Sequence, residues 1–346
     1  MAYTTINKSS EHFNTKLYTG NGSTNAITGV GFQPDMCWWK MRSGVEEHAL
    51  GDAVRGATKI VKPNATSAEA TSSSYFTSFD SDGFTLGSDS KTNANSSTYA
   101  SWNWKANGAG VSNTDGDITS TVSANTTSGF SIVSYTGTAP TNATVGHGLG
   151  VAPKMIIFKN RNTATDWDVY IEPVGAGKRL YLNNTSAEAV ATNYMNDTAP
   201  TINLFSVGVA DNTNKSGSPQ IAYCFAEKKG FSKFGSYTGN GSADGTFVYT
   251  GFKPAFVLFK RAIGGTDSWF INDTARATYN PSQQYMRPNE TSAEGTSSAH
   301  QIDILSNGFK IRSSDTAYNT LNNTYIYMAF AEEPLVGTNG IPATAR

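Results

Sequence analysis

The sequence contains 346 residues with 26 basic and 27 acidic side chains, which gives a formal net charge of -1 at pH 7. This balance leaves neither a basic stripe for nucleic acid nor an acidic tail for storing cations, and every apolar stretch falls far short of the ~20 residues of a membrane span. We therefore expect no nucleic-acid partner and no membrane insertion.

Five markers recur three times in the same order along the chain. They are Tyr-Thr-Gly, Gly-x-x-Pro, an apolar run that ends in a lysine, the hexapeptide Asn-x-Thr-Ser-Ala-Glu, and an aromatic strand. The period is about 100 residues, which is the size of a small domain with its own core. The hexapeptide occupies residues 64–69, 183–188 and 289–294, and the lysines are Lys40, Lys159 and Lys260.

Short apolar runs follow each Gly-x-x-Pro marker, at residues 35–40, 154–159 and 255–260. Such runs, bounded by proline and a polar loop, indicate strands that are buried in a sandwich. Turns of the Asx-Gly type separate further strands, and no stretch of about 12 residues keeps a helical period. The sequence therefore predicts an all-β fold of three tandem antiparallel, jelly-roll-like β-sandwich repeats of about 100 residues.

The final strand of each repeat places the domain boundaries. We assign residues 1–107 to the first repeat with an N-terminal arm, 118–229 to the second and 230–336 to the third. Residues 108–117 are rich in Gly, Ser, Asn and Asp and predict a linker, and residues 337–346 predict a C-terminal tail. Because almost no linker separates the second and third repeats, we expect them to form a rigid pair with the first repeat hinged.

The hexapeptide contains a threonine three residues before a glutamate, which is the spacing of a helix capping box. The sequence therefore predicts a one-turn helix in a loop. Acid/base catalysis by the glutamates is the alternative, but a retaining glycosidase needs two carboxylates about 5 Å apart and each repeat supplies only one. The predicted structural caps are Thr66, Glu69, Thr185, Glu188, Thr291 and Glu294.

Two repeats also contain Asp-x-x-Arg, as Asp52 with Arg55 and as Asp273 with Arg276, whereas the second repeat lacks this pair. We interpret the pair as an ion pair that braces a loop, with a bidentate ligand site as the alternative. The four histidines share no metal-ligand spacing, and the cysteines have no nearby partner. We therefore expect no metal, no cofactor and no catalytic residues.

Aromatic residues occupy a matching position after the lysine of two repeats. Trp167 and Trp269 lie in polar surroundings there, and His48 holds this position in the first repeat. Such side chains either pack within the fold or, when exposed, stack on sugar rings or anchor a protein contact. Trp167, Trp269 and His48 are therefore our candidates for surface recognition.

Several stretches spread over nearly the whole chain carry a resemblance to a known family. They are residues 10–22, which run from Ser-Glu-His-Phe-Asn-Thr to Tyr-Thr-Gly-Asn-Gly, the turn at 80–87, the strand at 102–105, and the closing stretches 330–334 and 339–346. These stretches resemble the tandem domains of virion proteins from tailed bacteriophages, of the marine and cyanobacterial phage type. The resemblance implies a virion structural component, and that family carries no catalytic motif to transfer.

The resulting hypothesis is a non-enzymatic virion protein exposed on the particle surface, either a receptor-binding tail fibre or a capsid decoration. We expect it to be synthesised in the host cytoplasm and to form a homo-oligomer, with a trimer as the expected state. Its expected partners are other virion proteins and a glycan or protein of the host surface. A glycan-binding lectin or a polysaccharide depolymerase is the alternative.

Overall fold

The structure is a computed structural model that describes residues 3–337, 340 and 342–344. It is 42% strand and 4% helix, and its sheets are antiparallel. The predicted all-β class is therefore confirmed. Half of the predicted tail at 337–346 lies outside the described residues.

The first segment, residues 13–104, follows a short 3-10 turn at Ser9–Glu11. It contains a four-stranded sheet in the order β1-β9-β3-β4 and a three-stranded sheet in the order β2-β8-β7, and both sheets contribute to one buried core. Its elements are β1 (Phe13–Thr19), β2 (Asn25–Thr28), β3 (Met36–Met41), β4 (Ala49–Asp52), β5 (Lys59–Ile60), β6 (Ala70–Thr71), β7 (Phe76–Asp80), β8 (Gly83–Leu86), the one-turn helix α1 (Ser90–Asn93) and β9 (Thr98–Trp104).

The second segment begins with two strands that extend its main sheet, β10 (Val111–Asn113) and β11 (Ser120–Asn125). Strand β10 lies inside the predicted linker at 108–117 and pairs with β11, so this stretch is part of a sheet. The remaining elements are β12 (Phe130–Thr136), β13 (Ala143–Gly146), β14 (Met155–Asn160), β15 (Asp168–Ile171), β16 (Lys178–Tyr181), β17 (Ala189–Val190), β18 (Leu204–Val207), α2 (Asp211–Asn214) and β19 (Pro219–Phe225). The main sheet has the order β10-β11-β12-β19-β14-β15-β16-β17, and β13 pairs with β18.

The third segment has a four-stranded sheet in the order β20-β28-β22-β23 and a three-stranded sheet in the order β21-β27-β26. Its elements are β20 (Ser232–Thr238), β21 (Phe247–Tyr249), β22 (Phe252–Ile263), β23 (Phe270–Asp273), β24 (Gln284–Tyr285), β25 (Gly295–Thr296), β26 (Ile302–Leu305), β27 (Gly308–Ile311), α3 (Thr316–Asn319) and β28 (Thr324–Pro334). The strand order β20-β28-β22-β23 matches β1-β9-β3-β4 and the central part of the second sheet, β12-β19-β14-β15.

Strand β3 shows how each main sheet is buried on both faces. Successive side chains of a strand point to opposite faces. Cys37 and Trp39 belong to the core of the first segment, whereas Met36 and Trp38 belong to a second, larger core. That larger core contains residues of all three segments. Each main sheet therefore lies between a core of its own segment and one core that the segments share.

Three aromatic rings meet at the centre of the shared core. Trp104 pairs with Phe13 of β1, Phe225 pairs with Phe130 of β12, and Phe330 pairs with Ser232 of β20. Their ring centroids are separated by 6.4 Å for Trp104 and Phe225, 6.1 Å for Phe225 and Phe330, and 5.8 Å for Trp104 and Phe330. The expected hinge before the second repeat is therefore wrong, because the first segment packs against both of the others.

Candidate functional site

The three hexapeptides lie in loops at the borders between segments. None of the described residues 64–69, 183–188 and 289–294 is helical. The backbone N–H of each hexapeptide glutamate instead donates to a carbonyl of another segment, so it is not available to a local cap. These bonds join Glu69 to Arg161 at 2.7 Å, Glu188 to Ala262 at 2.8 Å and Glu294 to Arg42 at 3.0 Å. The predicted capping role of Thr66, Glu69, Thr185, Glu188, Thr291 and Glu294 is therefore wrong.

The buried lysines make a second bond across the same borders. Each ammonium donates to the carbonyl of a hexapeptide threonine in a different segment. The bonds join Lys159 to Thr66 at 2.8 Å, Lys260 to Thr185 at 2.9 Å and Lys40 to Thr291 at 3.2 Å. The second segment thus contacts the first, the third contacts the second, and the first contacts the third. The contacts are cyclic, and they close the chain into a ring.

The candidate recognition residues lie in these borders and are 0% exposed. Trp167 Nε1 donates to the carbonyl of Lys62 at 3.0 Å, and Trp269 Nε1 donates to the carbonyl of Tyr181 at 2.8 Å. His48 Nε2 makes the equivalent contact with the carbonyl of Arg287, at 3.1 Å. The prediction of surface recognition by Trp167, Trp269 and His48 is therefore wrong, because their rings are enclosed between segments.

The tautomer of His48 follows from its second nitrogen. Trp38 Nε1 can only donate, and it lies 2.9 Å from His48 Nδ1, so Nδ1 accepts and Nε2 carries the proton. Burial, together with the charge of Lys40, lowers the pKa of His48 well below its usual value. His48 therefore acts as a neutral donor to Arg287, as the indole nitrogens do in the other two borders.

The asparagine of the hexapeptide holds the loop to its own segment. Its Oδ1 accepts a hydrogen bond from the backbone N–H of the residue at the Trp or His position. The bonds join Asn64 to His48 at 2.8 Å, Asn183 to Trp167 at 2.9 Å and Asn289 to Trp269 at 2.8 Å. The asparagine therefore links two of the recurring features inside one segment, and the threonine and glutamate link neighbouring segments.

A network of charged side chains fills the border between the first and second segments. Glu69 accepts a two-pronged contact from Arg161, at 2.9 and 3.0 Å, and a third bond from Arg55 at 3.1 Å. Arg55 also bonds to Asp52, which accepts from the hydroxyl of Tyr223 at 2.7 Å. Burial raises the pKa of Glu69 and the two guanidiniums lower it, and the net pKa is below the usual value. Glu69 is therefore held as a carboxylate.

The border between the third and first segments repeats this network. Glu294 accepts from Arg42 at 2.9 Å and from Arg276 at 3.2 Å, and Arg276 bonds to Asp273 at 2.6 Å. Asp273 accepts from Trp102 Nε1 at 3.0 Å, where Tyr223 supplies the donor in the other border. The Asp-x-x-Arg pairs are therefore ion pairs within a loop, as the sequence predicts, and each also connects two segments.

The border between the second and third segments is apolar at the same positions. Ile171 pairs with Met155 as Asp52 pairs with Met36, so the two occupy equivalent places. Glu188 remains, and its carboxylate bonds to Lys178 of its own segment. The charged or donor residues of the other borders are replaced there by Ile171, Val174, Ala262 and Met328. All four positions are replaced in the same border. This indicates that the charged and donor side chains of the other two borders act together as one network.

The Tyr-Thr-Gly marker organises the opposite end of each segment. Its tyrosine hydroxyl donates to a carbonyl in the one-turn helix. The bonds join Tyr18 to Thr92 at 2.7 Å, Tyr135 to Thr213 at 2.6 Å and Tyr237 to Tyr318 at 2.8 Å. A Cβ on Gly20 would lie 2.2 Å from the carbonyl oxygen of Ala94, so only glycine fits this approach. This marker is therefore explained by the architecture.

The lowered pKa values of the three buried lysines predict that the free energy of unfolding rises with pH. Burial lowers the pKa of Lys40 and Lys159 to about 8 and that of Lys260 to about 7. Above these values the folded chain has released protons that the unfolded chain keeps up to about pH 10.4, so the free energy of unfolding rises with pH in this window. We expect a gain on the order of 2 kcal/mol per lysine between about pH 7 and pH 9.5.

Urea unfolding across this range measures the gain, and Lys260→Met is expected to reduce the slope by about a third, since it removes one of three groups. A free energy of unfolding that falls between pH 7 and pH 9.5 would contradict the assignment of these lysines as groups that lose their protons in the folded chain.

The last findings concern membrane spans, metal sites and the similarity of the chain to known proteins. Within the part of the chain that the structure describes, no helix is long and apolar enough to cross a membrane, and no group of three or more His, Cys, Asp and Glu side chains could hold a metal ion. No curated protein and no solved structure matches the chain. Residues 8–334 match the family described as a domain of unknown function, DUF7483. Because this match covers nearly the whole sequence, the chain belongs to the DUF7483 family.

Proposed function

We propose that this chain is a non-enzymatic structural protein of a tailed-phage virion, displayed on the particle surface as a tail fibre or a capsid decoration. In this proposal its three segments are tandem copies of one jelly-roll-like β-sandwich. The observation that carries the proposal is that the recurring residues are engaged in contacts that close the segments into a ring. Such use of the recurring residues supports a rigid building block.

The protonation and ion pairing of the hexapeptide carboxylates support the proposal that the protein is not an enzyme. A general acid at neutral pH needs a raised pKa, whereas the pKa of Glu69 is lowered beside Arg161 and Arg55. The side chain of Glu69 is only 13% exposed, and that of Glu294 only 14%. Their bonds to arginine account for both residues as structural ion pairs.

The virion setting is supported by the resemblance described above and by the composition. Charged residues are only 15% of the chain, against roughly a quarter in typical proteins. A neutral surface that bonds through hydroxyl and amide groups suits a protein on the outside of a particle. Its partners in this proposal are other virion proteins and a molecule of the host surface.

The cyclic contacts also bear on the expected trimer. In a homotrimer, three copies of one surface would pair around an axis. Here three equivalent borders are already paired within one chain. We propose that this internal threefold arrangement supplies the symmetry for which a homotrimer was expected, and the trimer of whole chains stays a prediction.

Immunogold labelling of purified particles tests this function. Antibodies raised against the purified chain are expected to label either the fibres or the capsid surface in a regular pattern. Purified particles that lack the chain would contradict both versions of the proposal. Release of reducing sugar from host polysaccharide, abolished by Glu294→Gln in a chain that remains folded, would favour a depolymerase instead.

A further inference from the structure

The third segment contains a loop that the other two segments lack. From the proline of Gly-x-x-Pro to the asparagine of the hexapeptide there are 35 residues between Pro254 and Asn289, but 30 in each of the other segments. Four of the five added residues lie in the stretch between β23 and β24, at residues 274–283, and the fifth lies between Lys260 and Trp269. The corresponding stretches of the first and second segments run Gly-Ala-Thr at 56–58 and Gly-Ala-Gly at 175–177, without an aromatic residue.

This loop borders a cavity of about 190 Å³ that is open to the surface and is lined by residues 276–281 together with Gln283 and Gln284. Its most prominent side chain is Tyr279, which is 82% exposed, more than any other exposed large apolar or aromatic side chain of the described residues. Sites for drug-sized ligands enclose roughly 300–1,000 Å³. A cavity below that range fits one small ring.

Hydrogen bonds hold the loop against the free edge of β26. Asn280 Nδ2 donates to the carbonyl of Ile304 at 2.8 Å, and Asn280 Oδ1 accepts from the N–H of Ile304 at 2.8 Å. Ser282 exchanges backbone bonds of 2.7 and 3.1 Å with Ile302. The loop is therefore preorganised, and a ligand that binds it does not have to order the backbone first.

The one charged side chain that lines the described cavity is already paired with carboxylates. Arg276 is the one charged side chain among the described residues that line it, and its guanidinium already bonds to Asp273, to Glu294 and to the carbonyl of Ile271. The lining also contains Thr278, Gln283 and Gln284, whose side chains carry hydroxyl and amide groups, and Gln283 Nε2 donates to Gln301 Oε1 at 3.2 Å. The lining therefore offers a charged ligand no side-chain charge that is not already compensated.

We propose that this cavity binds a single ring of a neutral saccharide. The exposed ring of Tyr279 offers an apolar face to the C–H face of the sugar, and the hydroxyl and amide groups of the lining bond to its hydroxyls. Each chain then carries one saccharide site, placed where the third segment differs from the others. The inference rests on the recognition part of the proposed function, since it supplies a ligand class for the host surface.

Saturation-transfer NMR on the purified full chain tests the site, because it detects weak binding by a small ligand. The probes are the methyl glycosides of glucose, galactose, mannose and N-acetylglucosamine, with sialic acid as an anionic comparison. We expect at least one neutral glycoside to bind with a Kd on the order of 1 mM. Tyr279→Ala should weaken that binding at least tenfold, and Tyr279→Phe should retain it.

Tyr249→Ala is the matched control, because Tyr249 is another exposed tyrosine of the same segment, at 51% exposure, and lies outside the cavity. It should leave binding unchanged. Binding of sialic acid alone, binding that survives Tyr279→Ala, or no binding of any probe at about 10 mM would overturn the proposal. None of these results depends on whether the chain is found on virions, so failure of the saccharide site and failure of the virion assignment are distinguishable.

Discussion

Replacing Glu69 with alanine is expected to lower the free energy of unfolding by about 2–3 kcal/mol. The change removes the carboxylate that Arg161 and Arg55 share, and the side chain of Arg55 is 0% exposed. Arg55 keeps Asp52 as a partner, but Arg161 and one N–H group of Arg55 lose an acceptor in a largely buried border, so the cost exceeds that of losing a surface pair. Urea unfolding at pH 7 measures the difference between the variant and the unaltered chain.

The chain provides its own control in the second hexapeptide. Glu188 occupies the equivalent position, but Ala262 replaces the arginine of the neighbouring segment. The partner of Glu188 is Lys178 of its own segment, which is 43% exposed. Glu188→Ala is therefore expected to cost less than about 1 kcal/mol. Similar losses for Glu69→Ala and Glu188→Ala would show that the arginine contacts between segments contribute little, contrary to our account.

Phe330→Ala is expected to cost about 3–5 kcal/mol, because it opens a cavity at the centre of the shared core. The ring of Phe330 stacks on Phe13 with centroids 5.0 Å apart and contacts Trp104 and Phe225 at 5.8 and 6.1 Å. These three partners belong to the first and second segments. Urea unfolding followed by tryptophan fluorescence measures the loss, since the six tryptophans are distributed over all three segments.

An exposed phenylalanine of the same segment serves as the control for this change. Phe247 is 44% exposed, so Phe247→Ala should change the free energy of unfolding by less than about 1 kcal/mol. If Phe330→Ala split the fluorescence change into two separate transitions, the shared core would not couple the segments.

The buried strands could be predicted from the sequence, because the pattern that marks them is local. All six positions of β3 and of β14 are buried, which produces the continuous apolar runs after the Gly-x-x-Pro markers. The same runs do not reveal the second core. Apolar composition is the same for two kinds of buried strand. One kind lies between the two sheets of one sandwich, and the other lies between its own core and a neighbouring segment.

The function of the hexapeptide was predicted wrongly because its spacing satisfies a local rule. A threonine three residues before a glutamate fits a capping box, but Glu69 bonds to Arg161, which is 92 residues away. Contacts over such distances in sequence override a preference worth about 1 kcal/mol. The sequence likewise does not reveal that Trp167 and Trp269 are covered, since the segments that cover them are far away in the sequence.

One signal for the ring is present in the sequence. Asp-x-x-Arg occurs in the first and third segments. The lysine that ends the apolar run is followed two residues later by arginine in the first segment (Lys40, Arg42) and the second (Lys159, Arg161), but by Ala262 in the third. Pairing within segments would leave one motif of each kind without its partner. Pairing each Asp-x-x-Arg with the next segment in cyclic order matches them all. In the structure the two arginines of each such pair bond to the same hexapeptide glutamate, Glu69 or Glu294.

Scanning calorimetry of the unaltered chain tests most directly whether the three segments form one closed body. Because the shared core and the three borders couple every segment to both others, we predict one transition, with a ratio of calorimetric to van't Hoff enthalpy of about 1. Separate transitions, or a ratio of about 3 as for three independent domains, would contradict the closed ring.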